Sequence, residues 1–143
     1  MTYNELIAFS KPITVQGGKP ERLGKLCLDS RKVEKNDIFI AIRGTQTDGH
    51  KFVFQAAESG ASVIIVDEDI EPSKGEAVLK VEDTRELLSP LAQRMAGDPA
   101  KSLTNIAVTG TNGKTTVATL VWQILSELGE NAALLGTVSK RIN

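Results

Sequence analysis

The sequence predicts an α/β fold in two parts, a small N-terminal α/β domain over residues 1–100 and the first βαβ unit of a second domain over residues 101–143. Three observations support this prediction. Apolar runs typical of buried strands alternate with amphipathic helical segments up to residue 96. A stretch rich in structure-breaking residues follows at 97–102. Beyond it, a short apolar run, a glycine-containing loop and a helical pattern succeed one another.

The first part begins with weak signals and then becomes regular. A short helix is predicted near residues 3–9, followed by a loop through residue 22 that contains two prolines and two glycines. The first firm element covers residues 23–28 and leads into the polar trio Asp29-Ser30-Arg31. Residues 38–42 are apolar throughout, which predicts a strand buried on both faces in the middle of a sheet.

Two helices and two further strands complete this domain. A polar loop, residues 43–49, leads to a helix over 51–59 whose inner side is predicted to carry Phe52, Val53, Ala56 and Ala57. Gly60 is its expected stop, and strands are predicted over 63–66 and 77–81. The second helix is expected to start at the capping pattern Asp83-x-x-Glu86 and to kink at Pro90, or to start at Ser89 with Pro90 at the first helical position. Its inner face carries Leu87, Leu91 and Met95.

Composition excludes several classes of function. Seventeen Lys and Arg against 18 Asp and Glu give a net charge of −1, so nucleic acid and anionic membranes are not expected partners. The N-terminal apolar run is too short for membrane insertion, and we expect a cytoplasmic protein. Cys27 is the sole cysteine and is expected in the core. His50 is the sole histidine and is expected on the surface at a helix start.

The stretch 106–116 has the chemistry of a phosphate-binding loop. A predicted strand, Ile106–Val108, enters a loop in which Gly110 and Gly113 let backbone amides turn inward. Lys114 adds a positive charge at the head of a helix predicted over 114–128, where the helix dipole also favours a phosphate. Thr115 could ligate the Mg²⁺ that accompanies a nucleoside triphosphate. The usual pattern G-x-x-x-x-G-K-[ST] is not matched, because Val108 stands at its first glycine.

The second part is too small to bury its own apolar surface. A strand predicted near 132–135 would complete one βαβ unit, and one such unit cannot cover both faces of a parallel sheet. We therefore expect the chain to be a fragment of a longer protein and to be inactive alone.

Three segments together resemble one family, the Mur ligases of peptidoglycan synthesis. They are the loop Thr109-Gly-Thr-Asn-Gly-Lys-Thr-Thr116, the run Leu28-Asp29-Ser30-Arg31 and the loop Gly44-x-x-x-Asp48-Gly49. The resemblance covers the whole chain, including the segment Leu135-Gly-Thr-Val138. Within the family, the chain is most similar to the members that add a diamino acid to UDP-MurNAc-L-Ala-D-Glu.

The resemblance implies two sets of site residues. The second part would be the start of the central P-loop ATP-binding domain, in which Lys114 serves catalysis on the ATP phosphates and Thr115 lies near the metal; the ATP-binding set is Gly110, Thr111, Asn112, Gly113, Lys114, Thr115 and Thr116. The first part would bind the UDP-MurNAc substrate through Leu28, Ser30, Thr45, Gln46 and Thr47. The family commonly has a histidine where this chain has Thr45.

The implied reaction is an ATP-dependent ligation with ATP and Mg²⁺ as cofactors. The carboxylate of UDP-MurNAc-L-Ala-D-Glu is converted to an acyl phosphate, which the amine of a diamino acid attacks; meso-diaminopimelate is favoured over L-lysine. The full-length enzyme is expected to be a monomer. Two alternatives stay open: the Mur ligase that adds D-Ala-D-Ala, and a non-catalytic module that binds a nucleotide sugar.

Overall fold

The computed structural model describes residues 1–45 and 47–143, so that Gln46 lies outside the described residues. The chain divides into two compact units, Met1–Ser102 and Leu103–Asn143. Short 3-10 helices cover Ser30–Lys32, Gly49–Phe52 and Pro99–Ser102. The helices and strands are α1 (Tyr3–Ser10), β1 (Thr14–Gly17), β2 (Leu26–Cys27), β3 (Ile38–Ile40), α2 (Val53–Glu58), β4 (Val63–Val66), β5 (Ala77–Lys80), α3 (Thr84–Met95), α4 (Lys114–Glu127), β6 (Ala133–Leu135) and β7 (Lys140–Ile142).

The first unit is built on a five-stranded sheet with the order β1-β5-β4-β3-β2. Strands β2, β3, β4 and β5 run parallel to one another, and β1 pairs antiparallel with β5 at one edge. The carboxyl ends of β2, β3 and β4 therefore lie along the same edge of the sheet. The predicted α/β fold class is confirmed.

Both faces of the sheet are covered, as the continuous apolar runs predicted. Along β3, Ile38 and Ile40 pack on one face with Leu6 of α1 and Leu91 of α3. The alternate residue, Phe39, packs on the other face with residues of α2. This alternation follows from the two-residue period of a strand, and it fixes the register of the central strands.

Two expectations for the helices and strands of this unit are wrong. Residues 14–17 form strand β1 instead of a loop; all four are exposed, and the strand depends on pairing with the distant β5. Phe52 is 38% exposed instead of lying on the inner side of its helix, because a 3-10 turn precedes α2 and changes the helical phase. Of the two starts left open for α3, the capping pattern at Asp83 is confirmed. The helix starts at Thr84, Asp83 accepts hydrogen bonds from the backbone N–H groups of Arg85 and Glu86, and the helix continues through Pro90.

The second unit contains α4 and an antiparallel pair, β6 and β7. Helix α4 covers nearly all of its predicted range, and Gly129 follows it with a φ of 78°. The strand expected over Ile106–Val108 is not formed, because an extended segment becomes a strand only when another strand pairs with it. Among the described residues, no helix combines the length and the apolar character needed to cross a membrane.

Candidate functional site

A groove of about 440 Å³ lies at the carboxyl ends of β2 and β3. It is lined by Leu28, Asp29, Ser30, Arg31, Ile42, Thr47, Gly49, Phe52 and Gln55. Three residues predicted from the sequence, Leu28, Ser30 and Thr47, therefore meet in one concave site. Thr45 is exposed and is not among the lining residues, and Gln46 lies outside the described residues.

Ser30 lies at the floor of this groove with its hydroxyl fixed. The residue is 5% exposed, and its Oγ donates a hydrogen bond of 2.7 Å to Oε1 of Gln55 on α2. Gln55 is a groove residue that the sequence analysis missed. The helical pattern selected only apolar residues for the inner side of this helix, and no local signal indicates that the hydroxyl of Ser30, 25 residues away, would reach Gln55.

Asp29 and Arg31 form an ion pair at the rim. Asp29 caps the 3-10 helix by accepting from the backbone N–H of Arg31, and its two carboxylate oxygens each lie 2.8 Å from a nitrogen of the Arg31 guanidinium. These contacts lower the pKa of Asp29 from 3.8 to about 2, chiefly through the side chain of Arg31. The Arg31 side chain is 78% exposed, which leaves the remaining N–H groups of its guanidinium available to an anion.

The Arg31→Ala substitution is expected to raise the pKa of Asp29 from about 2 toward 3.8. Because the folded-state pKa is depressed, the stabilising contribution of Asp29 is present above pH 3.8 and is lost as the pH falls toward 2. A carboxyl titration by NMR measures the shift. Lys32→Ala is the matched control and should change the pKa much less, since Lys32 is the weakest of the named causes. An unchanged Asp29 pKa in Arg31→Ala would contradict the assignment.

Gly49 allows the loop after β3 to approach the strand closely. A Cβ at this position would lie 2.7 Å from the backbone nitrogen of Ile42, a distance that real side chains do not adopt. The Gly49 N–H also donates to the carbonyl oxygen of Ile42 at 2.9 Å. The glycine of the Asp48-Gly49 pair is therefore required by packing at the groove wall.

His50 is buried, so the expectation of a surface histidine is wrong. Its side chain is 3% exposed, with Nδ1 lying 2.7 Å from Oδ1 of Asp48 and Nε2 lying 3.3 Å from Oδ1 of Asp67. The backbone N–H of Asp67 points at Nε2 from 3.4 Å. The backbone N–H and the ring of His50 lower the pKa of Asp48. The expectation failed because Asp67 lies 17 residues further along the chain, at the end of β4.

A second cavity, of about 590 Å³, lies in the same unit at the opposite edge of the sheet. Its walls include Asn36, Ser62 and Glu76, which precede β3, β4 and β5. Ligands of parallel α/β sheets bind outside the carboxyl ends of the strands, because loops and helix starts converge there. The smaller groove beside Ser30 is therefore the candidate site, although the other cavity is larger.

The candidate phosphate loop lies in the second unit, immediately before α4. Gly110 and Gly113 have φ values of 147° and 76°, a region that side chains with a Cβ rarely adopt. The Nζ of Lys114 donates hydrogen bonds to the carbonyl oxygens of Gly110 at 2.6 Å and Thr111 at 3.2 Å. The ammonium group is thus held over the loop by the backbone of the loop itself.

The start of α4 supplies donors that fit phosphate oxygens. Gly113 is the N-cap and provides no side-chain cap, and the first N–H groups of a helix have no intrahelical partner. Thr111, Asn112, Thr115 and Thr116 are exposed along the same stretch. The described residues contain no group of three or more His, Cys, Asp or Glu that could hold a metal ion. Thr115 would therefore be one protein ligand of Mg²⁺, with phosphate and water oxygens as the others.

Two family models match this chain. The one described as "Mur ligase family, catalytic domain" matches residues 24–95, and the one described as "Mur ligase middle domain" matches residues 108–143. The chain belongs to the Mur ligase family.

Individual relatives agree with this assignment. The UDP-N-acetylmuramoyl-L-alanyl-D-glutamate–2,6-diaminopimelate ligase of Cytophaga hutchinsonii is 37% identical over 99% of this chain, which spans 30% of that relative's length. A solved structure of a UDP-N-acetylmuramoyl-L-alanyl-D-glutamate–2,6-diaminopimelate ligase is 28% identical with a TM-score of 0.76, over 99% of this chain and 28% of that one. The MurF ligase of Thermotoga maritima, solved in complex with ADP, is 30% identical with a TM-score of 0.54, over 72% of this chain and 23% of that one.

Proposed function

We propose that this chain belongs to an ATP-dependent ligase of peptidoglycan precursor synthesis that adds 2,6-diaminopimelate to UDP-MurNAc-L-Ala-D-Glu. Residues 1–100 would form the domain that binds the nucleotide sugar, and residues 101–143 would contribute the start of the ATP-binding domain. The observation that carries this proposal is the meeting of Leu28, Ser30 and Thr47 in one groove at the carboxyl edge of the sheet. Similarity to diaminopimelate ligases over 99% of the chain supports the choice of amino acid. On this proposal the ligase would act in the cytoplasm.

The groove has the chemistry to bind a uridine nucleotide. Leu28 and Phe52, 54% and 38% exposed, supply apolar surface for a base, and Ser30 with Gln55 supplies polar groups below it. The exposed guanidinium of Arg31 at the rim is suited to a diphosphate. Thr45, Gln46 and Thr47 are proposed to add contacts from the loop after β3.

The phosphate loop has the chemistry to bind ATP. The Lys114 ammonium and the free N–H groups at the start of α4 would neutralise and position the phosphates, as the ADP complex of the Thermotoga MurF supports. Mg²⁺, bound through Thr115, would supply further positive charge against the phosphate oxygens. The γ-phosphoryl group passes to the substrate carboxylate, leaving ADP, and the incoming amine then displaces phosphate to form the amide.

A second candidate, the addition of D-Ala-D-Ala, is favoured by one observation. Solved structures similar to this chain include MurF ligases. The one from Acinetobacter baumannii is 34% identical to this chain with a TM-score of 0.68. The sugar-nucleotide substrate of a D-alanyl-D-alanyl ligase of this kind already carries the diamino acid, as the name of the Acinetobacter enzyme states. Comparing UDP-MurNAc-L-Ala-D-Glu with the corresponding tripeptide as substrates of the full-length ligase separates the two candidates.

Calorimetric titration of the 143-residue chain with UDP-MurNAc-L-Ala-D-Glu tests the nucleotide-sugar site. Saturable binding is expected, and Ser30→Ala should weaken it about three- to tenfold, the usual size of one lost hydrogen bond. Ser89→Ala, an exposed serine on α3, is the matched control and should bind as the wild-type chain does. No binding by a chain shown to be folded by circular dichroism would contradict the proposed site.

A further inference from the structure

A polar cluster centred on the buried His50 lies beside the groove and joins separate elements of the first unit. It consists of Arg43, Asp48, His50, Asp67 and Thr84. Asp48 and His50 follow β3, Asp67 follows β4, and Thr84 starts α3. The Thr84 hydroxyl, 1% exposed, donates to Oδ2 of Asp67 at 3.0 Å.

Both nitrogen atoms of the His50 ring meet polar groups of other residues. Nδ1 lies 2.7 Å from Oδ1 of Asp48. Nε2 lies 3.3 Å from Oδ1 of Asp67 and 3.4 Å from the backbone nitrogen of Asp67. The buried ring is thus a rigid link between the loop after β3 and the residue that follows β4.

Arg43 closes the same loop from its other end. Its guanidinium pairs with Asp67, with Glu68 at 2.8 Å and with Asp48 at 3.8 Å. Arg43 and Asp48 also form an isolated antiparallel bridge, and the Gly44 N–H donates to the carbonyl oxygen of Thr47 at 2.9 Å. The two ends of the loop are therefore fixed to each other and to Asp67, with Thr47 between them on the groove wall.

We propose that His50 is a positioning residue of the nucleotide-sugar site, linking the loop between Arg43 and Asp48 to the end of β4 and so holding Thr47 in place at the groove. The inference rests on the proposed function of that groove. His50 itself does not line the groove, so it acts through the loop and through Asp48.

Three variants test this role in the 143-residue chain. His50→Phe keeps a buried ring and removes both nitrogen atoms, and His50→Asn restores a side-chain N–H near the position of Nδ1. Lys51→Ala, an exposed neighbour outside the groove lining, is the matched control. Titration with UDP-MurNAc-L-Ala-D-Glu should give about tenfold weaker binding for His50→Phe, the equivalent of one hydrogen bond to a charged group. His50→Asn should recover part of the affinity, and the control should be unchanged.

Hydrogen exchange separates positioning from loss of fold. In His50→Phe, the amides of Gly44 and Gly49, which donate within this loop, should exchange faster, while those of β4 stay protected. Full affinity in a folded His50→Phe chain overturns the inference and leaves the proposed function standing. Loss of protection throughout β4 also overturns it, since His50 would then support the whole domain. Absence of binding by the wild-type chain overturns the proposed function and this inference together.

Discussion

Alanine in place of Lys114 is expected to lower the kcat of the full-length ligase at least about a hundredfold, as the loss of one strong charge-stabilising group does in other active sites. The Nζ of Lys114 is held over the loop by the carbonyl oxygens of Gly110 and Thr111, at the head of a helix with free N–H groups. Its charge is the one full positive charge within the stretch 106–116. Phosphate release under saturating substrates measures the effect.

The same substitution should leave the nucleotide-sugar site intact. Binding of UDP-MurNAc-L-Ala-D-Glu to the Lys114→Ala enzyme is expected to equal that of the unsubstituted enzyme, because Lys114 is not among the groove residues. Lys140→Ala, an exposed lysine on β7, is the matched control for charge and should retain full turnover. Wild-type turnover in the Lys114→Ala enzyme would exclude the proposed role of the phosphate loop.

Phe39→Ala is expected to lower the free energy of unfolding of the first unit by about 3–5 kcal/mol, the range measured for large buried aromatic residues. Phe39 is 0% exposed and lies on the interior strand β3, where its ring packs against α2 residues and the neighbouring strand β4. The loss combines the transfer free energy of the ring with the cavity left behind. Urea unfolding followed by circular dichroism gives the difference.

Phe54→Ala is the control for this substitution. Phe54 is the same residue type on α2, but it is 62% exposed, and surface substitutions of this kind usually change stability by less than about 0.5 kcal/mol. Equal destabilisation by the two substitutions would contradict the described packing of β3.

The parts of the fold that the sequence predicted well are those fixed by local pattern. Residues 63–66 and 38–40 are continuous apolar runs, and a strand buried on both faces is the arrangement that satisfies them. Strand β1 was missed because its residues are all exposed and its existence depends on pairing with β5, where Thr14 faces Lys80. The strand predicted at Ile106–Val108 is the opposite case. The composition of this run fits a strand, but the sequence pattern does not show whether another strand pairs with it.

The residues of the candidate site also divide into those that the sequence could predict and those that it could not. Leu28, Ser30 and Thr47 could be selected from residue types at the end of a strand together with the family resemblance. Gln55 and His50 could not, because polarity alone does not distinguish a solvated side chain from one that meets a partner far along the chain. In both cases that partner, Ser30 or Asp67, comes from a different element of the sheet edge.

The order of the strands also determines how this chain can associate with copies of itself. Amyloid-like stacking needs a long, flat edge with unpaired backbone groups. The two edge strands are short: β2 has two residues, and β1 has four and ends at Gly17. The segment best suited to such stacking is Val-Ile-Ile-Val of β4. It occupies the centre of the sheet and is paired with β5 on one side and β3 on the other. Fibril formation through this segment therefore requires the first unit to unfold.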